Sequence, residues 1–408
     1  MDQHLLYIAN QLPFTAVKGD GPFLCDPHGF TYIDMWNDNG VASMGYSSGI
    51  VEETISNFLA LKAPHRAPLM VNTAIREAYS KAICAEVGMD RVFYANGGSD
   101  AVESAIKLAR LYQYKENESC CQNGIATISH NYHGATGFAL AANDDHDYPY
   151  RKDPFYGPHQ QTTFIEGFCA MDEEFNLDYG GGGDRRLREE QIGAVILAPI
   201  PADYTAINMR SPEWHAALRR WCDDHGALLI HDDVQAGAGR CGYFASWKHP
   251  SIGAKPDIVT LGKGVAMGFP LSLCLATGKV AAAMEPGRHY CTMAGGDLLC
   301  YCAHQLLRWY QDGGGEHVRG EGEWIKAKLA AKPWIRSVHG TGYMLGFTPD
   351  YLGYSSGDFA TTCYDIGLII AKFRPYGMLR FGPALNASRE ILVTSLEIMD
   401  EARKRVAC

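Results

Sequence analysis

The chain has 408 residues, with 47% hydrophobic and 20% charged side chains, a globular composition that excludes a disordered chain, a coiled coil and a collagen-like repeat. Its length suits two domains, or one large α/β domain with an appendage. Lys and Arg number 36 against 46 Asp and Glu, a formal charge of −10 with no basic run, which argues against a nucleic-acid or anionic-membrane partner.

The first residues, MDQHLLYIAN, carry no basic region and no long apolar run, so no signal peptide is expected. No apolar stretch approaches the roughly 20 residues of a membrane span. RVFYAN (91–96) predicts a strand, NGGS a turn, and DAVESAIKLARLYQY a helix from Asp100. Gly180 to Gly183 and the charged run 184–190 read as a solvated loop. AVILAPI (194–200) is the next strand. Ser211-Pro212 then opens a helix with Ser as N-cap, Trp214, Ala217, Leu218, Trp221 and Cys222 recur at helical spacing, and Gly226 closes it. ALLIHDDV (227–234), DIVTLG (257–262) and LSLCLA (271–276) are further strands. Continuous apolar strands joined by helices indicate a buried, mostly parallel sheet. From about Pro286 the pattern becomes helix-rich, closing with LRF (379–381) and a helix near Glu390 to Arg403. The expected division is an N-terminal segment at 1–50, a large α/β domain at 51–288 and a C-terminal part at 289–408, the two ends together forming a smaller domain. Thirteen scattered cysteines without a CxxC pair fit a reducing, cytoplasmic setting better than a zinc site or a disulfide framework.

Three motif matches are set aside. GAGRCG (237–242) fits a dinucleotide fingerprint, but YFASWKHP after it does not open a helix. GYSSG occurs at 45–49 and 353–357, and a nucleophile elbow needs a strong strand before it. His130 and His133 lack a third metal ligand nearby.

Three other features sit at predicted strand ends, where open α/β sheets bind ligands. Asn96-Gly97-Gly98-Ser99 is either a phosphate cradle at a helix N-terminus or a tight turn with Ser99 as N-cap. Asp232-Asp233 is either a carboxylate pair awaiting a cation or a solvated turn. Lys263, between two glycines in LGKG, is either a nucleophile toward carbonyls with room for an attached group or a surface charge. Together they are the parts that hold pyridoxal 5′-phosphate: a phosphate cradle, a partner for a protonated ring nitrogen and a Schiff-base lysine.

NGGSDAVESAIKLAR (96–110), HDDVQAGAGRCGYF (231–244), KPDIVTLGKG (255–264) and TMAGGDLLCYCA (292–303) resemble, in order, the class III pyridoxal-phosphate aminotransferases of fold type I. That group includes the ornithine, acetylornithine and 4-aminobutyrate enzymes, and the resemblance runs from GPFLCDPHGFTYID (21–34) to LRFGPALNAS (379–388). It implies an α/β large domain with a mostly parallel sheet, plus a smaller α+β domain. It also implies that Lys263 holds the coenzyme and moves the substrate proton, and that Asp232 bonds the ring nitrogen. Gln235 would approach the ring hydroxyl, Gly98 and Ser99 the phosphate, and Tyr132 would stack on the ring with His133 beside it. Thr292 would complete the phosphate site of a partner subunit, which implies a homodimer with shared sites. Arg380 would grip a substrate α-carboxylate, with Asp203 as its resting partner.

The departures concern the substrate. Ala135 stands where glutamate-using members carry Arg, so 2-oxoglutarate is not the expected acceptor unless Arg151 or Arg374 replaces that guanidinium. Ala198 replaces the first Glu of the family's Glu-Pro-x-x-Gly-Glu segment, Asp233 and Asp100 each replace a Glu, and Gly295-Gly296-Asp297 replaces Gly-Asn-Pro. Asn39 falls where ornithine enzymes have a substrate-contacting Tyr. The expected reaction is transfer of an amino group between a primary amine or amino acid and an oxo acid or aldehyde. Decarboxylation, racemisation or amino-group migration on the same scaffold is the alternative, and a non-catalytic binding protein is disfavoured by the intact Lys263, Asp232 and Gln235.

Overall fold

The computed structural model describes residues 15–66, 71–117, 122–143, 168–178, 189–201, 207–350, 353–373 and 377–406. Three short strands come first: β1 (Lys18–Asp20), β2 (Phe23–Cys25) and β3 (Thr31–Asp34). The middle of the chain supplies β4 (Arg91–Ala95), β5 (Gly124–Ile128), β6 (Phe168–Met171), β7 (Leu177–Asp178), β8 (Ile192–Leu197), β9 (Leu228–Asp232), β10 (Ile258–Leu261) and β11 (Ser272–Ala276). The last part supplies β12 (Ile335–Thr341), β13 (Met344–Pro349), β14 (Leu368–Ile369), β15 (Ala371–Phe373) and β16 (Met378–Phe381).

The middle strands form one eight-stranded sheet in the order β4-β11-β10-β9-β8-β5-β6-β7. Strands β6, β5, β8, β9 and β10 pair parallel. Strand β11 runs antiparallel to both β10 and β4, so β4 points the same way as the parallel set. The edge strand β7 is also antiparallel. The expected strand at 271–276 is therefore present, but reversed. A tight connection from Lys263 to Leu271 leaves no room for the helical crossover that a parallel neighbour needs.

The apolar runs read from the sequence are buried as expected: β8 and β9 are covered along their whole length. Helix Pro212–His225 begins as its sequence dictates. Ser211 Oγ accepts the Trp214 amide, Pro212 occupies the first turn, and Gly226 ends the helix at φ 64°. Its apolar face, Leu218 and Cys222, packs with Val195, Leu197 and Leu229 of the sheet. On the opposite face, helix Gly98–Asn117 buries Val102, Ala105, Ile106 and Ala109 against Ile125, Ile196 and Ile230.

Strands β1, β2, β3 and β14 make a second sheet in which β14 pairs parallel with β3, joining residues near both ends of the chain. Strands β12, β13, β16 and β15 form an antiparallel third sheet. Helix Asp297–Trp309 lies against helices Gly49–Ala60 and Ala74–Val87, and one hydrophobic core runs from Ile33 to Ala402. On the β3–β14 pairing we propose the division at about 51 and 289, with the two ends forming the smaller unit.

Candidate active site

Five loops leave the carboxyl ends of the co-directional strands β4, β5, β8, β9 and β10, and together they line one cavity. Gly98 and Ser99 follow β4. His130, Tyr132, His133 and Gly134 follow β5, and Ala198, Ile200 and Pro201 follow β8. Asp232, Val234, Gln235 and Ala236 come from β9, and Lys263 comes from β10. The space measures about 750 Å³ counted out to open solvent. Seven of the expected site residues thus converge: Gly98, Ser99, Tyr132, His133, Asp232, Gln235 and Lys263.

Asp232 ends β9 and is 6% exposed. Its Oδ1 accepts from Thr260 Oγ1 at 3.0 Å and from the Val234 amide at 3.1 Å. Its Oδ2 lies 2.7 Å from Nδ1 of the buried His133, which donates to the carboxylate. His133 is itself held by Asn143, whose Oδ1 accepts the His133 amide at 2.6 Å and whose amide group donates to the Gly134 carbonyl. Nothing in the sequence pattern points to Asn143 or Thr260; both are found only through the fold.

Asp233 points the other way. It is fully buried and accepts from both the amide and the hydroxyl of Ser246. Burial pushes its carboxyl up to about 7, against the lowering effect of the Ser246 donors. The two acids therefore do different work: Asp232 faces the cavity, and Asp233 ties β9 to the turn at Ser246. A carboxyl with a raised folded pKa stabilises the fold fully below its unfolded value and loses that contribution as pH rises through its folded value. Between about pH 5 and pH 8 the melting temperature of the wild type should therefore fall more than that of Asp233→Asn, which keeps an acceptor for Ser246. Parallel falls in thermal scans would remove Asp233 as the cause.

The turn after β4 departs from the expected cap. The helix begins at Gly98, so Ser99 lies inside its first turn, and its Oγ accepts the Ala135 amide at 3.1 Å. A Cβ on Gly98 would come within 2.7 Å of Val234, and one on Gly134 within 2.5 Å of Ser99 Oγ. The Asn96 amide is bound by the Asp100 carboxylate at 3.0 Å, which pins the turn from inside the helix. The first-turn amides of a 20-residue helix thus open into the cavity behind a glycine floor.

Lys263 has φ 47°, a left-handed conformation that is costly for any residue but Gly. Its neighbouring glycines serve close backbone approach rather than space for an attached group. A Cβ on Gly262 would meet Ser272 Oγ at 2.7 Å, and one on Gly264 would meet Ser43 Cβ at 2.7 Å and the Gly40 carbonyl at 2.9 Å. The Ser43 hydroxyl donates to the Gly264 carbonyl at 2.7 Å. The strained lysine is therefore clamped between β11 and the segment Gly40–Ser43.

Arg380, on β16, is 4% exposed and lies outside the cavity lining. It donates to Asn39 Oδ1, and the same oxygen accepts from Gln235 Nε2 at 2.8 Å. Thr292 is exposed and does not reach the cavity of its own chain. Asp203, Arg151 and Arg374 lie outside the described residues. The GAGRCG segment forms consecutive turns, and no helix opens from it.

This donor set fits pyridoxal phosphate. An anion cradle, a buried carboxylate oriented by three partners, a half-buried aromatic ring at Tyr132 and a lysine on a rigid turn all face one space.

The family model for class-III aminotransferases matches residues 7–402. The mitochondrial acetylornithine aminotransferase of Alnus glutinosa is 29% identical over 403 residues, covering 95% of this chain and 83% of that protein. The acetylornithine aminotransferase of Methanosarcina acetivorans is 28% identical over 404 residues, covering 98% and 94%. Among solved structures, the ornithine aminotransferase of Toxoplasma gondii superposes with a TM-score of 0.84 at 22% identity, covering 98% of this chain and 93% of that one. An amine transaminase from an uncultivated Pseudomonas species, in a pyridoxal-phosphate-bound form, gives 0.82 at 20% identity, covering 100% and 99%. The likeness thus covers nearly the whole chain, and the chain belongs to the class-III aminotransferases, pyridoxal-phosphate-dependent transaminases of fold type I.

Proposed function

We propose that this transaminase moves an amino group from a primary amine or amino acid to a small oxo acid or aldehyde, through a substrate pocket unlike that of the glutamate-using members. The observation that carries the reading is the composition of the cavity wall. The cofactor side holds Lys263, Asp232, Gln235 and Ser99, whereas the β8 side presents Ala198, Ile200 and Pro201; the sequence resemblance puts Ala135 at the family's arginine position. Among the described residues this β8 wall offers the far carboxylate of 2-oxoglutarate no charged partner, at a cost of about 1.5–3 kcal/mol for a lost charged hydrogen bond.

The residues divide the work. The chemistry supplied by pyridoxal phosphate when bound is condensation with a primary amine and withdrawal of electrons from the amine carbon. Gly98 and Ser99 would anchor its phosphate, Tyr132 would cover one face of its ring, and Gln235 would meet its ring oxygen. Asp232 would keep a proton on the ring nitrogen, and the His133 ring and Thr260 hydroxyl hold that carboxylate in line. Lys263, through Nζ, would take the proton from the amine carbon and deliver it to the coenzyme carbon on the other side of the transferred nitrogen. Arg380 would orient a substrate carboxylate as a two-pronged donor.

A homodimer with shared sites is part of this reading, supported by exposed Thr292 between Tyr290 (66% exposed) and Met293 (61% exposed). A cytoplasmic location is supported by the thiol-rich composition; no described helix is long and apolar enough to cross a membrane.

The test is to supply ¹⁵N-labelled amines and amino acids with pyruvate or 2-oxoglutarate and follow the label by mass spectrometry. Label reaching pyruvate but not 2-oxoglutarate is expected; efficient labelling of 2-oxoglutarate would refute the altered pocket, and carbon dioxide release without transfer would refute transamination. Arg380→Ala is expected to raise KM for carboxylate-bearing donors by about 10–200-fold, the loss of one charged pair. Simple amines should be nearly unaffected. Equal effects on both in steady-state assays would dismiss Arg380 as the carboxylate grip.

A further inference from the structure

We propose that Asn39 is a positioning residue that couples carboxylate occupancy at Arg380 to the cofactor-facing side chain of Gln235, rather than a substrate contact. The inference rests on the reading of Arg380 as the carboxylate grip.

Three observations carry it. The first is a shared atom. Asn39 Oδ1 accepts from Gln235 Nε2 at 2.8 Å and also from Arg380 Nη1. Gln235 lines the cofactor cavity, whereas Asn39 and Arg380 do not. One amide oxygen therefore stands between the two halves of the site.

The second is the backbone that delivers it. Asn37, Asp38 and Asn39 have φ of 50°, 50° and 58°, three successive left-handed residues of which none is glycine. Asn and Asp tolerate this backbone better than other non-glycine residues, but as single residues, so three in succession persist because their surroundings impose the turn. Those restraints are visible. Asp34 Oδ1 accepts the amides of Trp36 and Asn37, and Tyr46 donates to Asp34 Oδ2 at 2.7 Å. Asn37 Nδ2 donates to the carbonyls of Asp34 and Gly382, the latter two residues beyond Arg380. Strain held this firmly beside a ligand site indicates that the position of the Asn39 amide is what is being maintained.

The third is charge. Arg240 is buried under the same turn, where a Cβ on Gly40 would lie 3.5 Å from its Nε, and it donates to the Pro383 carbonyl. Arg240 and Arg380 repel. Asn39 gives Arg380 one neutral acceptor, and an incoming carboxylate competes with that dipole for the guanidinium. The displaced oxygen remains bonded to Gln235, and the Gln235 amide shifts or strengthens accordingly. Presence of a carboxylate is thereby signalled at the ring-oxygen side of the cofactor.

The experiment uses the full-length holoenzyme at fixed pH and propanoate, which has a carboxylate and no amine. Binding is measured calorimetrically, and the absorbance difference spectrum of the bound coenzyme is recorded in the same titration. In the wild type a saturable difference spectrum is expected, and Arg380→Ala should bind propanoate about tenfold or more weakly. Asn39→Gly removes the amide and tolerates the left-handed backbone. It is expected to bind propanoate no more weakly than the wild type while losing the difference spectrum. Asn39→Asp puts a carboxylate on Arg380 and is expected to weaken propanoate by about tenfold or more. A full difference spectrum in Asn39→Gly overturns the coupling and leaves the Arg380 reading standing. Weaker binding by Asn39→Gly also overturns it, in favour of direct contact. Propanoate that binds Arg380→Ala as well as the wild type overturns the Arg380 reading and the coupling together.

Discussion

Lys263→Ala is expected to lower kcat by about 10⁴-fold or more, because it removes both a nucleophile and the base that moves the substrate proton. Lys263→Arg should be nearly as inactive, since a guanidinium remains protonated and cannot serve in either role. The backbone at this position is already strained at φ 47°, and Ala pays the same penalty there as Lys, so the loss will not come from unfolding. The clamp from Ser43 to the Gly264 carbonyl and the close fit of Gly262 on Ser272 involve no atom of the Lys263 side chain. Circular dichroism should therefore stay close to wild type while turnover disappears. Near-normal turnover in either variant would end the assignment of Lys263.

The cofactor half of the site was legible from the residues because each of its features lies directly after a strand with an unbroken apolar run. Asp232, Lys263 and the Gly98-Ser99 turn are all placed by short local connections from β9, β10 and β4. What escaped the sequence depends on long-range approach. Gln235 and Arg380 meet Asn39 across 196 and 341 residues, and no periodicity announces such contacts. The two glycines around Lys263 looked like room for an attached group, yet their neighbours are Ser272, Ser43 and the backbone of Gly40. Glycine patterns report that something comes close, and only the fold says what. The reversed direction of β11 was hidden for a similar reason: an apolar strand reads the same both ways, and only the connection before it sets its direction. Ser99 shows the same limit at smaller scale. A serine near a helix start suggests a cap, but beginning the helix two residues earlier turns its hydroxyl toward the Ala135 amide instead.

Asp232→Asn is expected to reduce kcat by about 10³-fold, the scale of removing one preorganised electrostatic partner from a buried site. The substitution is close to isosteric. Asn can still accept from Thr260 Oγ1 and the Val234 amide at Oδ1, so the local structure has no reason to change. At the second position an amide donor replaces the oxygen that now accepts from His133 Nδ1, and the imidazole answers by exchanging tautomers. What is lost is the negative charge that would keep a ring nitrogen protonated. A neutral partner there removes the reason for electrons to move from the amine carbon toward the ring. Loading both proteins with a coenzyme analogue that has carbon in place of the ring nitrogen separates this from a structural effect. If Asp232 acts through that nitrogen, the analogue should slow the wild type severely and Asp232→Asn hardly further, a non-additive pair. Additive losses in single-turnover rates would mean that Asp232 works elsewhere, through His133 and the positioning of the loop after β5.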